Sequence, residues 1–348
     1  MKILMIGLGS IGQRHVRNIR RIYGDDIEII AYRVRRLQQT FSDAMQIRDG
    51  VNLEEEHHIT SYSDLDEALA QKPDIAFITN ITSKHMECAL RCAEAGCDIF
   101  LEKPVSNTLE GADKLLEVTS SKGSIVFMGY QNRYHVCVKK LREYLSKGII
   151  GKIISVEGAF CERLVTMHTY EDYSTTYMAR KDMGGGCILN LQIHDIDILQ
   201  WIFGKAVGDI QITKGTHSDL KIDVEDHAVI SYVADYKGSQ SESSDESNGT
   251  PAGKVTVTSR SDFLCYPPVH TYRIVGEKGR IELDFNKATI DLVDGDGVTA
   301  HLEYPDFQRN DMFIEELKLF MDAVKTRKKP EVSLETGIDG LKIALGVN

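Results

Sequence analysis

Residues 2–12 read KILMIGLGSIG, a short apolar run that leads into three glycines, Gly7, Gly9 and Gly12. The apolar run predicts a buried strand, and the glycine spacing predicts a tight turn into a helix. Glycine lets the backbone approach a pyrophosphate closely, and the free N–H groups at a helix N-terminus attract its charge. The segment therefore predicts a dinucleotide-binding unit. We expect its contacts to come from Gly7, Gly9, Ser10, Ile11 and Gly12.

The alternation of strand and helix continues to residue 128. Apolar runs predict strands at 2–6, 27–32, 74–79, 98–101 and 125–128. Helical spacing predicts helices at 11–23, 64–71, 83–95 and 109–121. Repeated strand–helix–strand units build a parallel, doubly wound sheet, so we predict an α/β Rossmann domain over residues 1–128. The polar residues 46–60 are predicted to be a solvated connection.

In residues 129–348 the predicted strands and helices no longer alternate. Several strands follow one another without helices between them, which predicts an α+β domain with a large, mainly antiparallel sheet. Residues 237–253 are dominated by Ser, Glu, Asp and Gly and cannot bury apolar surface. We predict that they form a disordered hairpin loop between two strands.

Composition excludes several classes of protein. The 348 residues carry 41 basic and 52 acidic side chains, a net charge of -11, which disfavours binding to nucleic acid or to an anionic membrane. No apolar run reaches the roughly 20 residues of a membrane span, and no signal peptide is evident, so we predict a cytoplasmic protein. The seven cysteines include no C-x-x-C pair. They predict buried, reduced thiols and no metal site.

The strand at 27–32 bears on the choice between NAD and NADP. An acidic residue about 20 positions after the glycines would hold the ribose 2′-hydroxyl of NAD, whereas arginine there suits the 2′-phosphate of NADP. This chain has Arg33 and Arg36 at that point and no acid. Arginine offers paired donors to phosphate, so the sequence favours NADP. An ordinary basic surface turn is the alternative that the residues leave open.

Two further groups of residues indicate chemistry. Glu102-Lys103-Pro104 follows a predicted strand, and residues at the carboxyl end of such a strand face the ligand crevice. Asn190, His194 and Asp197 form a polar stripe on an otherwise apolar helix that follows three glycines at 184–186. Histidine is a common proton acceptor in alcohol oxidation. A structural histidine capped by Asp197 is the alternative.

Together these motifs resemble the glucose-fructose oxidoreductase / inositol dehydrogenase (Gfo/Idh/MocA) family over nearly the whole chain. The resemblance rests on G-x-G-x-x-G-x-x-H from Gly7 to His15, on Glu102-Lys103-Pro104, on residues 129–134 and on the triple-glycine helix. It implies an NAD(P)-dependent oxidoreductase in which Lys103 contacts the reacting hydroxyl and His194 is the acid/base. The cofactor contacts implied are Asn80, Thr82, His85, Glu102, Lys103, Pro104 and Gln131. The substrate contacts implied are Lys103, Arg133, Tyr177, Asn190 and His194.

The resemblance also implies an open-faced sheet used for a homodimer or homotetramer. Many dehydrogenases of the family have Asp where this chain has Asn190, which cannot accept a proton. The expected substrate is a small sugar or sugar derivative, including a nucleotide-linked sugar of surface-polysaccharide synthesis. A non-catalytic regulator that senses dinucleotides with the same fold is the competing hypothesis.

Overall fold

The computed structural model of the chain describes residues 1–34, 39–43, 46–239 and 249–347. It divides into two compact units, Met1–Gln131 with Asn310–Leu341 and Asn132–Arg309 with Lys342–Asn348. Within the described ranges, no helix is both long and apolar enough to cross a membrane.

The first unit is built on a six-stranded parallel sheet in the order β3-β2-β1-β4-β5-β6, which confirms the predicted Rossmann sheet. Its strands are β1 (Lys2–Ile6), β2 (Glu28–Tyr32), β3 (Ile59–Tyr62), β4 (Ile75–Ile78), β5 (Asp98–Glu102) and β6 (Val126–Gly129). Its helices before the second unit are α1 (Ser10–Tyr23), α2 (Leu53–Glu56), α3 (Leu65–Leu69), α4 (His85–Glu94) and α5 (Ala112–Lys122). The strand order reverses between β1 and β4, and ligands of such sheets bind at the carboxyl ends of the strands at that reversal.

Strand β3 falls partly within the stretch that the sequence predicts to be a solvated connection. It pairs only with β2, at the edge of the sheet, and Ile59 is its one buried residue. A strand with one buried side chain has too short an apolar pattern to be recognised from sequence. The prediction for residues 46–60 was wrong at this point.

The second unit contains an eight-stranded sheet in the order β14-β13-β12-β11-β7-β10-β9-β8, in which only β7 and β10 are parallel. The predicted mainly antiparallel sheet is therefore confirmed. Its strands are β7 (Ile153–Cys161), β8 (Ala206–Gly215), β9 (His227–Tyr236), β10 (Gly253–Asp262), β11 (Val269–Gly276), β12 (Gly279–Asp284), β13 (Thr289–Asp294) and β14 (Gly297–Glu303). Its helices are α6 (Val136–Ser146), α7 (Leu164–Met167) and α8 (Ile193–Phe203), and α8 packs against β7, β9 and β10. Strands β9 and β10 are antiparallel neighbours, and residues 240–248 of the predicted loop between them lie outside the described residues.

The last two helices are α9 (Arg309–Thr326) and α10 (Leu334–Leu345). The sequence predicts that everything after residue 128 lies in the second domain, whereas Asn310–Leu341 lies in the first unit. The physical reason is aromatic packing, since the ring of Phe320 lies 5.5 Å from those of both Phe77 and Phe100. The carbonyl of Val332 also accepts a hydrogen bond from the N–H of Met128, at 2.9 Å.

Candidate active site

The glycine loop after β1 is held by close packing against the end of β4. A Cβ on Gly12 would lie 2.4 Å from the carbonyl oxygen of Gly7 and 2.8 Å from Oγ1 of Thr79. Gly7 has φ of 90°, and its Cβ would lie 2.9 Å from Cα of Asn80. A Cβ on Gly9, in contrast, would meet no protein atom within 4 Å. The loop therefore packs tightly on one side and is open at Gly9.

The start of α1 suits an anion. Its first turn contains no acidic residue, and no side chain caps its N–H groups. Ser10 and Ile11 are half-buried there. Among the described residues, the buried Oδ1 of Asn80 also has no hydrogen-bond partner. Free donors, an open glycine and an unused acceptor fit the phosphates and hydroxyls of a dinucleotide.

The end of β2 holds an ion pair. Arg33 is buried, and its Nη1 donates to Oε1 of Glu54 at 2.5 Å. The hydroxyl of Ser61 donates to the same oxygen at 2.6 Å. Arg36, the other predicted phosphate ligand, lies outside the described residues. The one predicted arginine that is described is therefore already paired with a carboxylate.

The segment after β4 is tied to the segment after β5 by His85. Its Nδ1 lies 2.8 Å from the carbonyl oxygen of Pro104, and its Nε2 lies 3.1 Å from that of Asn80. Burial lowers the pKa of His85, and its two backbone hydrogen bonds oppose that effect. Thr82, in the turn before α4, is buried as well. The structure thus brings together all three residues predicted from this segment.

Glu102 closes β5, and Lys103 follows it with a half-exposed side chain. The Lys103–Pro104 peptide bond is cis. His15 donates from Nε2 to Oε1 of Glu102 at 2.9 Å, and both side chains are buried. Gln131, the remaining predicted cofactor contact, is buried in a short turn after β6. The carboxyl ends of β1, β4 and β5 therefore present the glycine loop, Asn80 and Lys103 along one edge of the sheet.

In the second unit, the predicted polar stripe begins in a π-helical turn, Ile188–Gln192, which runs into α8. Such turns occur often at functional sites. Asn190 is buried and donates from Nδ2 to the carbonyl oxygen of Gly186 at 2.7 Å. His194 is also buried, with its ring 6.1 Å from that of Phe160. A π-helical turn has more residues per turn than an α-helix. The regular helical spacing that the sequence predicts therefore holds for His194 and Asp197 and does not extend to Asn190.

The third member of the stripe, Asp197, forms a buried ion pair. Arg133 donates to its two carboxylate oxygens at 2.6 and 2.7 Å, and the guanidinium lies over the ring of Trp201. Arg133 is only 2% exposed. The predicted substrate contact of Arg133 finds no support in this geometry, whereas Tyr177 is half-exposed in a short turn.

A buried hydrogen-bond network around Asp195 is not predicted from the sequence. Asp195 accepts hydrogen bonds from the Tyr272 hydroxyl at 2.7 Å and from Nε2 of His270 at 3.0 Å. The His270 ring is stacked between the rings of Phe160 and Phe285, at 4.0 and 3.8 Å. His270 and Tyr272 are two positions apart on β11, so both side chains lie on the same face of the sheet. No local sequence pattern predicts their contact with Asp195, which is 75 positions from His270.

Comparison with known proteins agrees with this geometry. Residues 1–130 match a family model described as an oxidoreductase family with an NAD-binding Rossmann fold, and residues 138–282 match the GFO/IDH/MocA C-terminal domain. A myo-inositol 2-dehydrogenase of Thermotoga maritima is 30% identical over 346 residues, which cover 97% of this chain and 92% of that protein.

Solved structures agree as well. A "probable dehydrogenase" from Thermotoga maritima matches with a TM-score of 0.71 and 25% identity, over 100% of this chain and 95% of that one. A levoglucosan dehydrogenase in complex with NADH and levoglucosan has a TM-score of 0.75 at 16% identity, over 99% and 94%, and shows a shared fold. The chain therefore belongs to the GFO/IDH/MocA family, and it is an NAD(P)-dependent oxidoreductase that acts on CH–OH groups.

Proposed function

We propose that the protein transfers hydride between NAD(P) and a secondary hydroxyl carbon of a sugar or cyclic polyol. The observation that carries the proposal is the sheet edge on which the open glycine loop and Lys103 lie together. When bound, the nicotinamide accepts or donates the hydride. The name of the Thermotoga relative supports a polyol as the first substrate to test, and a nucleotide-linked sugar is the second.

The remaining chemistry falls to the side chains. Lys103 donates a hydrogen bond to the reacting oxygen and stabilises the negative charge that develops there. His194 accepts the hydroxyl proton during oxidation and returns it during reduction. Asn190 cannot take a proton, so we assign it a hydrogen bond to the substrate. We also propose that Tyr177, which is half-exposed, contacts the substrate.

Substitution of Lys103 tests this assignment. K103M removes the charge and keeps most of the side-chain volume, so turnover of a polyol panel should be lost while NADH binding, followed by fluorescence, persists. K84M is the matched control, because Lys84 is an exposed lysine of the same unit that pairs with Glu87. Undiminished turnover by K103M would remove the proposed role. Tight dinucleotide binding without turnover of any substrate would favour the competing hypothesis of a non-catalytic regulator that senses dinucleotides.

The preference between NAD and NADP is a finer proposal. The sequence favours NADP, but Arg33 is paired with Glu54, whose carboxylate would repel a 2′-phosphate at the end of β2. We therefore propose that Glu54 favours NAD. Titration should show tighter binding of NADH than of NADPH, and E54Q should strengthen NADPH binding. Tighter NADPH binding by the unmodified protein would restore the sequence-based prediction.

Self-association is proposed through the sheet of the second unit. The apolar side chains of Ile154, Val207 and Val233 are exposed on three of its strands. Exposed apolar groups on a sheet favour contact with a second copy, so a homodimer or homotetramer is expected. Light scattering on the protein and on its V233D variant tests this, since a monomeric protein at micromolar concentration would contradict it.

A further inference from the structure

Helix α9 buries a carboxylate in its apolar face. The side chains of Phe313, Glu316, Leu317 and Phe320 share that face and are buried, and Glu316 has no exposed surface. Neither carboxylate oxygen of Glu316 has a hydrogen-bond partner among the described residues. A buried polar group without a partner is costly, so its retention here calls for a physical reason.

The titratable groups that face Glu316 are His15 of α1 and Glu102 of β5. One nitrogen or oxygen atom from each of the three side chains lies within 4.8 Å of the others. His15 is hydrogen-bonded to Glu102, and its ring is otherwise surrounded by the rings of Phe77, Phe100 and Phe313. The cluster is therefore a small polar group within an aromatic core.

Two carboxylates this close in a poorly solvated place cannot both be ionised at low cost. Glu102 accepts a hydrogen bond from His15. Glu316 has no comparable donor, and burial together with the charge of Glu102 raises the pKa of Glu316 well above its usual range. If the two carboxyl groups hold one proton between them, that proton is therefore on Glu316.

We infer that Glu316 is a positioning residue, held as the neutral acid, that keeps the buried negative charge of the cluster on Glu102. This inference rests on the role proposed for Lys103, which directly follows Glu102. A second charge at Glu316 would repel the Glu102 carboxylate from His15. It would thereby displace the Lys103-Pro104 segment, which is also tied to His85.

Three such ligands could instead hold a divalent cation, which would neutralise the two carboxylates. In that case Glu316 would be ionised, and the protein would be isolated with a metal that the E316Q variant lacks. The hydrogen bond between His15 and Glu102 favours the proton, because both atoms of that bond would have to turn towards the metal.

Infrared spectroscopy of the intact protein reads the protonation state directly. The difference between wild type and E316Q at neutral pH should contain the carbonyl band of one protonated carboxyl group. E315Q, a neighbouring substitution on the same helix, should not remove that band. Absence of the band, or a stoichiometric metal that E316Q loses, would overturn the inference.

Kinetics test the positioning role separately. E316A leaves a cavity beside His15 and Glu102, into which the Glu102 side chain can shift. We expect this shift to displace Lys103 and to lower kcat by about 100-fold, with little change in the KM for NAD. E316Q, which is neutral and of the same shape, should restore kcat. A loss of kcat in E316Q as large as in E316A would contradict the role. If K103M stays active the proposed function fails, whereas the infrared result still decides the state of Glu316.

Discussion

Arg133 and Asp197 are joined by two parallel hydrogen bonds, Nε to Oδ2 at 2.7 Å and Nη2 to Oδ1 at 2.6 Å. The two side chains are 2% and 1% exposed. The pair ties the turn before α6 to the middle of α8, one turn after His194. Trp201 lies beneath the guanidinium, with the Arg142 guanidinium 4.3 Å from the same ring. The pair therefore fixes the helix on which the proposed acid/base lies.

Removal of one partner should destabilise the second unit strongly. D197A leaves the Arg133 guanidinium buried without its counter-ion, and we expect a loss of about 3–5 kcal/mol in the free energy of unfolding. Urea titration measures this loss. The double variant R133M/D197L, which removes both charges and keeps apolar volume, should recover much of it. A D197A variant as stable as wild type would show that the pair contributes nothing net.

The glycine loop gives a second prediction, in which two similar substitutions have different consequences. G9A adds a methyl group where no protein atom lies within 4 Å, so the fold should persist while dinucleotide binding weakens at least tenfold. G12A places the methyl group 2.4 Å from a backbone oxygen, so it should lower the melting temperature as well. Calorimetry and NADH titration on both variants check this. Unweakened binding by G9A would mean that the open side of the loop does not face the cofactor.

These positions show what the sequence alone could establish. The glycine spacing, the first parallel strands and the location of Lys103 follow from local patterns, and the structure confirms the fold that they predict. Strand β3 could not be recognised because it has one buried side chain. Strands β13 and β14, at the edge of the second sheet, were not predicted either, because β13 has only two buried residues and β14 has none.

Contacts between residues far apart in the chain could not be predicted from local sequence patterns. The placement of α9 in the first unit depends on Phe320 meeting Phe77 and Phe100, more than 200 residues earlier in the chain. The partner of Arg33 is likewise supplied by a separate helix. Glu316 is different, because a carboxylate between Phe313 and Phe320 on one helical face is visible in the sequence as an exception to the apolar pattern.

A third prediction concerns stability and pH. The pKa of Glu316 is raised in the folded protein, while in the unfolded chain it is about 4.3. Above that pH, the folded state keeps a proton that the unfolded state has lost. The free energy of unfolding therefore falls as pH rises, by about 1.4 kcal/mol per unit, until the folded pKa is reached.

E316Q lacks this titration, so its stability relative to wild type should increase between about pH 5 and pH 8. The urea midpoints of both proteins at these two pH values measure the difference in stability between them. The contributions of the other titrating groups are the same in both proteins and cancel in this difference. E315Q should follow wild type. Parallel curves for E316Q and wild type would mean that Glu316 titrates alike in the folded and unfolded states.

The last prediction concerns Asn190, which the family resemblance identifies as a departure from the common Asp. An aspartate in the turn before His194 favours the protonated imidazole, because opposite charges attract in a poorly solvated place. A proton acceptor must be unprotonated, so N190D should move the acidic limb of the kcat/KM profile to higher pH by about one unit. N190A loses the hydrogen bond to Gly186 without adding a charge, so it should leave that limb in place. If both variants keep the limb of the wild type, the titrating group is not His194, and another residue must accept the proton.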